Sequence, residues 1–126
     1  MAYRFRDLPE ASGRGRGRAD ALARAEGALE KALWLRIRKG DAIPRPSPPK
    51  RGEAMVAVTP STAAKIAFIS AFAASAMSQS ELARRLGLNH REVQRMLDPA
   101  RKIKIDRLNT ALHLLGRRIV IEVEPI

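Results

Sequence analysis

"SQSELARRLGLNHREVQRML", residues Ser78 to Leu97, breaks once, at Gly87, and carries a helix-start signal on each side of the break. Ser78 stands three residues before Glu81, and Asn89 three before Glu92. At that spacing a side-chain oxygen caps the first turn while the acid reaches back to the cap. Ala83 is small where two helices would cross, and Gly87 suits a turn at positive φ. Leu82, Leu86, Leu88, Val93, Met96 and Leu97 supply a shared core. The set reads as a helix-turn-helix. Asn89, His90, Arg91, Gln94 and Arg95 are left outward on the second helix, long and polar enough to reach base edges in a major groove. Arg91 and Arg95 suit guanine and Gln94 suits adenine, each good bidentate pair discriminating by ~1–3 kcal/mol. Gln79, Ser80, Arg84, Arg101, Lys102 and Lys104 are expected to meet phosphate, where they position without specifying. An ordinary solvated face would account for the charges, but not for two caps and a crossing pattern together.

The composition agrees. The 126 residues hold 24 Lys and Arg against 13 Asp and Glu, a net +11, which concentrates polyanions around the chain. That length suits one ordinary domain or two very small ones and leaves no room for a large catalytic core. There is no cysteine, so neither a disulfide nor a thiolate zinc site can staple small domains together. No apolar run approaches a membrane span, and "MAYRFRDLPE" lacks the hydrophobic segment of a secretion signal, so a cytoplasmic protein is expected.

Two segments flank "GDAIPRPSPPKRGE", whose prolines at 44, 46, 48 and 49 forbid helix and favour extended geometry. Gly40 to Glu53 therefore reads as a linker, dividing the chain into residues 1–53, linker included, and 54–126. Before it, Asp20 is a candidate cap for a helix with Leu22, Ala25, Leu29, Ala32, Leu33 and Arg36 along one side and Gly40 at its end. Upstream only "YRFRDL" reads as a strand, with Tyr3 and Phe5 on one face. After the linker, "MVAV" is a short strand candidate. Thr59-Pro60 then starts a helix expected to run to Met77, burying Ile66, Ile69, Phe72, Ala73 and Met77, with Phe68 widening the stripe. "IDRLNTALHLLG" places Ile105, Leu108, Leu112 and Leu115 on one side of a last helix that ends at Gly116. The tail "RRIVIEVE" alternates as a strand.

Nothing in the chain is arranged for catalysis. His90 and His113 lie on different helices without a spaced carboxylate partner, and Ser70, Ser75 and Ser78 lack a histidine-acid set. No enzyme, metal site or cofactor is expected. "GRGRGR", Gly13 to Arg18, reads as a strand-to-helix loop whose arginines add nonspecific attraction for phosphate, in preference to a dedicated arginine-glycine element.

The order of these parts resembles the HicB family of antitoxins, in the branch that joins a small α/β toxin-binding domain to a helix-turn-helix domain. "YRFRDLPEA" is similar to that domain's second strand and turn, "ADALARAEGALEKAL" to its long helix, and "IPRPSP" to the exit into its third strand. "SQSELARRLGLNHREVQRMLDPARKIKIDRLNTALHLLGRRIVIEVE" is similar to the C-terminal domain, including Asp98-Pro99 after the second motif helix. The resemblance implies an α+β protein with a partial ribonuclease-H-like N-domain lacking catalytic residues. It implies a HicA-type mRNA-cleaving toxin as partner, and repression of the protein's own operon through operator double-stranded DNA. The family's first strand has almost no counterpart before "YRFRDLP", and the arginines of "GRGRGR" replace a more acidic or neutral turn. The implied N-domain is therefore shortened and altered.

A homodimer or higher homo-oligomer is expected, the dimer from the residues as well as from the resemblance. Ile119, Val120, Ile121 and Val123 would form an exposed apolar edge in a monomer, which a second copy can cover by antiparallel pairing. Paired reading helices would then meet half-sites about 34 Å apart, or a multiple of one DNA turn. Two other functions fit the residues: a stand-alone helix-turn-helix regulator, and a nonspecific nucleic-acid-binding structural protein.

Overall fold

A 22-residue helix, α1 (Arg18–Lys39), organises the N-terminal half of the computed structural model, which describes residues 1–125. Ala21, Ala25, Leu29, Ala32 and Leu33 recur at helical spacing and are buried. Leu22, expected in that stripe, is only half-buried, and Ala21 takes the inward place. Nor does Asp20 cap the helix. Gly17 is the cap, without a side-chain bond, and Asp20 sits a turn inside, its Oδ2 accepting the Arg16 N–H at 2.7 Å. Gly40 ends α1 in the left-handed conformation at φ 75°, which glycine adopts without a Cβ penalty.

Strand β1 (Ala2–Arg4) pairs antiparallel with β2 (Ser12–Arg14), Tyr3 opposite Gly13, and α1 packs on both. The expected strand from Tyr3 to Leu8 is thus shorter, and part of the expected "GRGRGR" loop is strand. Only Gly15 to Gly17 is the turn into α1. A Cβ on Gly15 would lie 2.4 Å from the Ala21 backbone nitrogen. Close approach to α1 therefore explains that glycine better than a loop does.

The proline-rich stretch has no regular structure, yet it is tied down at both edges of its prolines. The Ser47 N–H and Oγ donate to Asp7 at 2.8 and 2.6 Å, and Arg6 donates to the Pro48 carbonyl and to both oxygens of Glu53. Arg36 bridges Glu10 and the Ala42 carbonyl. The two Ser47 bonds hold the Asp7 carboxyl below the ordinary range. The Arg6 hydrogen bond does the same for Glu53, and the Arg36 hydrogen bond for Glu10. "MVAV" forms no strand. Met55 and Ala57 are exposed, and the segment finds no ladder partner among the described residues.

The chain divides into two compact units, residues 1–62 and 63–126. The second is helical: α2 (Pro60–Ala74), whose first three residues belong to the first unit, then α3 (Gln79–Leu86), α4 (His90–Leu97) and α5 (Ile105–Leu114). Each helix gives at least one of the largest fully buried side chains, Phe68, Leu82, Val93, Met96 and Leu108. Phe68 is the centre of α2 where Ile66 and Ile69 were expected to lead, while Phe72 is half-buried and Ala73 exposed. The helix stops at Ala74, before Met77. Ser75 Oγ donates to the Phe72 carbonyl and accepts the Met77 N–H, and Ala76 turns the chain at φ 60°. Residues 117–124 carry no ladder in the single chain, so the expected strand is absent there. Among the described residues, no helix is long and apolar enough to cross a membrane.

Candidate nucleic-acid interface

The α3–α4 pair is built by its caps. Ser78 accepts the Glu81 N–H at 3.0 Å, but the Glu81 carboxylate turns away to Arg85 at 2.9 Å, so this box is half made. The box of α4 is complete: the Glu92 N–H donates to Asn89 Oδ1 at 2.8 Å and the Asn89 N–H donates to Glu92 Oε2 at 2.9 Å. Between the helices Gly87 takes φ 66°, which lets the Leu88 N–H donate back to the Ala83 carbonyl at 2.9 Å.

Val93 and Met96 turn inward from α4 and are fully buried, which leaves His90, Arg91, Gln94 and Arg95 exposed. Arg91, Gln94, Arg95, Asp98 and Arg101 line one open hollow. Arg95, Arg101 and Lys102 share a second with Glu92, Ile103 and Arg107. Five of the residues singled out from sequence are thereby brought together. Gln79, Ser80 and Arg84 are exposed on α3, Asn89 is engaged in its cap, and Lys104 is the N-cap of α5. These and His90 line neither hollow. Arg84 lies 3.8 Å from Glu81 and Arg101 3.9 Å from Asp98, loose surface pairs that leave both guanidinium groups open to another anion.

Two cations were missed. Arg107 reaches back from α5 to 3.7 Å from Glu92, so an acid on the outward helix is shared between a cap and a cation. Lys65, on α2, is 4% exposed, and its Nζ donates to the carbonyl of Arg101 at 2.7 Å. Burial pulls its ammonium below the ordinary lysine range, partly opposed by Asp98. The signal for it was a lone cation in the otherwise apolar run "AAKIAFISAFAA".

Further along, Ile119 is half-buried and its N–H donates to Asn109 Oδ1 at 3.0 Å. Val120, Ile121 and Val123 are 78%, 72% and 89% exposed. No group of three His, Cys, Asp or Glu able to hold a metal occurs among the described residues.

These features define a small α+β protein whose helical unit presents one short, firmly capped helix with cations and an amide facing solvent. The family model of the HicB-like antitoxin of bacterial toxin-antitoxin systems matches residues 2–67. Antitoxin HicB 2 of Photorhabdus laumondii is 38% identical over 118 residues, covering 94% of this chain and 84% of the relative. Antitoxin HicB of Escherichia coli is 34% identical over 115 residues, 91% and 83% of the two chains, and that of Pseudomonas fluorescens is 34% identical over 119 residues, 94% and 82%. The chain belongs to the HicB-like antitoxins.

Proposed function

We infer that this antitoxin neutralises a HicA-type, mRNA-cleaving toxin by protein binding and represses its own operon by sequence-specific binding of operator double-stranded DNA. Residues 1–53 serve as a ribonuclease-H-like toxin-binding domain with its linker, and residues 54–126 as the helix-turn-helix and dimerisation domain. The observation that carries the DNA half is α4 itself. Its inward side is spent on Val93 and Met96 and its first turn on the Asn89–Glu92 box, while Arg91, Gln94 and Arg95 stand free beside Arg101. That division between anchoring and outward residues is what a helix entering a major groove requires. The toxin half rests on the family.

Pairing of two copies through Ile119 to Val123 would cover side chains that one chain leaves in water and would present two reading helices to related half-sites. The test is binding to DNA upstream of the protein's own gene, at physiological salt with excess unrelated duplex. The parent should bind selectively, and Arg91→Ala with Arg95→Ala should lose that selectivity. Equal binding of every duplex by both proteins would overturn the reading.

A further inference from the structure

The first unit is itself basic: residues 1–62 hold thirteen Lys and Arg against seven Asp and Glu, a net +6. The β1–β2 hairpin sorts part of that charge. In its register Ala2 faces Arg14 and Arg4 faces Ser12, so these four side chains share one side of the sheet. Tyr3 and Gly13 occupy the other side, where α1 lies. The solvent side therefore offers two arginines set among the small residues Ala2 and Ser12.

The chain leaving β2 extends the pattern. Arg14, Arg16 and Arg18 are exposed while Gly13, Gly15 and Gly17 between them are half-buried, so every second residue from the end of β2 through the turn to the start of α1 brings a cation to solvent. Two of these glycines have a packing reason: a Cβ at Gly15 would meet the Ala21 backbone and one at Gly13 the Tyr3 ring. Among the described residues, no ion pair engages the side chains of Arg4, Arg14, Arg16 or Arg18. Asp20, two residues after Arg18, is committed to the Arg16 N–H and to Arg24.

We propose that this hairpin face is a second nucleic-acid contact, holding backbone phosphates through Arg4, Arg14, Arg16 and Arg18 without reading sequence. A protein partner needs apolar or aromatic anchors at the centre of its footprint, and here the residues between the arginines are alanine, serine and glycine. A phosphate backbone needs only cations at regular intervals. The surface goes beyond the α4 reading and does not depend on it.

The experiment uses the full chain with Arg91→Ala and Arg95→Ala already in place, and reads how duplex affinity falls with salt. Adding Arg4→Gln, Arg14→Gln, Arg16→Gln and Arg18→Gln should flatten the slope of log affinity against log salt by about 3 to 4, at roughly 0.9 per phosphate contact. A control that removes the same charge from the exposed Lys31, Arg38, Lys39 and Arg45 of the same unit should flatten it much less. Equal flattening in the two variants, or none in the first, overturns the proposal. In the second case, loss of binding to an acidic protein by the same variant would reassign the face. Should the quadruple variant unfold, Arg4→Gln with Arg14→Gln gives the same reading at half the size. Selectivity of the parent for its own upstream DNA is a separate readout, so failure of the α4 reading cannot be mistaken for failure of this one.

Discussion

Lys65 Nζ donates to the Arg101 carbonyl at 2.7 Å and lies 3.4 Å from the Arg95 carbonyl, so one buried cation on α2 closes over the last turn of α4 and the loop beyond it. The last carbonyls of a helix have no partner within it, and a lysine there satisfies both the hydrogen bond and the helix dipole. Lys65→Met keeps most of the stem volume and removes the donor. It should cost about 1–3 kcal/mol by leaving a part-buried carbonyl unpaired. Urea unfolding of the two proteins measures this, and a loss under about 0.5 kcal/mol, the range of ordinary surface changes, would show that the loop holds itself.

The same lysine fixes a pH dependence. Its folded pKa lies below its unfolded one, so the folded state gives up the proton first and the unfolded state binds more protons between the two values. The desolvation penalty is fully present below the folded value and is relieved as pH rises toward the ordinary lysine range. Stability of the parent relative to Lys65→Met should therefore increase over the last units of pH below that range. A difference that is flat, or that falls, would contradict the burial argument.

Acid should weaken the first unit, with the same sign of pH dependence as Lys65, because both groups have a lowered folded pKa. The Asp7 carboxyl is lowered by its two bonds from Ser47, so its contribution is present above the ordinary aspartate value and is lost as pH falls through the lowered one. Asp7→Asn removes that titration. Amide hydrogen exchange at Ser47 should be slower in the parent than in the variant near neutral pH, and the two should converge in acid. Persistent protection in the variant would show that the prolines hold the segment without Asp7.

The turn before α4 should be sensitive to two single changes. Asn89→Ala breaks a complete capping box and should cost about 1 kcal/mol, whereas Asn89→Asp keeps the acceptor and should cost less. Gly87→Ala places a Cβ at φ 66° and should cost about 1–2 kcal/mol. For a unit of this size each kcal/mol corresponds to a fall in Tm of about 4–8 °C, which a thermal melt resolves.

Phe68→Ala tests where the core of the second unit is centred. Phe68 is fully buried, and its truncation should cost about 3–5 kcal/mol, enough to unfold a small helical unit at moderate temperature. Phe72→Ala, at a half-buried position on the same helix, should cost distinctly less. Equal losses would place the centre of the core elsewhere on α2.

How much of this was legible in the sequence depended on how far each residue's partner lies along the chain. Ser78, Gly87, Asn89 and Glu92 act on neighbours within five residues, so the α3–α4 unit could be read directly. β2 could not, because Ser-Gly-Arg has no strand propensity. Gly13 within it answers to Tyr3 and Gly15 just after it to Ala21, which only the fold brings near. "MVAV" erred the other way, having strand composition and no strand to pair with among the described residues. Lys65 was overlooked because the carbonyls it serves lie 30 and 36 residues away. The proline segment read correctly as irregular, but not as fastened, since Asp7 lies 40 residues before Ser47.

The fastening of α4 also bears on how this antitoxin can diversify. The helix is held by Val93, Met96 and the Asn89–Glu92 box, and Arg95 meets Lys65 through its main chain. None of those ties involves the side chains of His90, Arg91, Gln94 or Arg95. Exchanges at these exposed positions should fall within about 0.5 kcal/mol of neutral, well inside the tolerance of a marginally stable fold. Lineages can therefore drift apart at these α4 positions while the scaffold stays unchanged and needs no compensating repair.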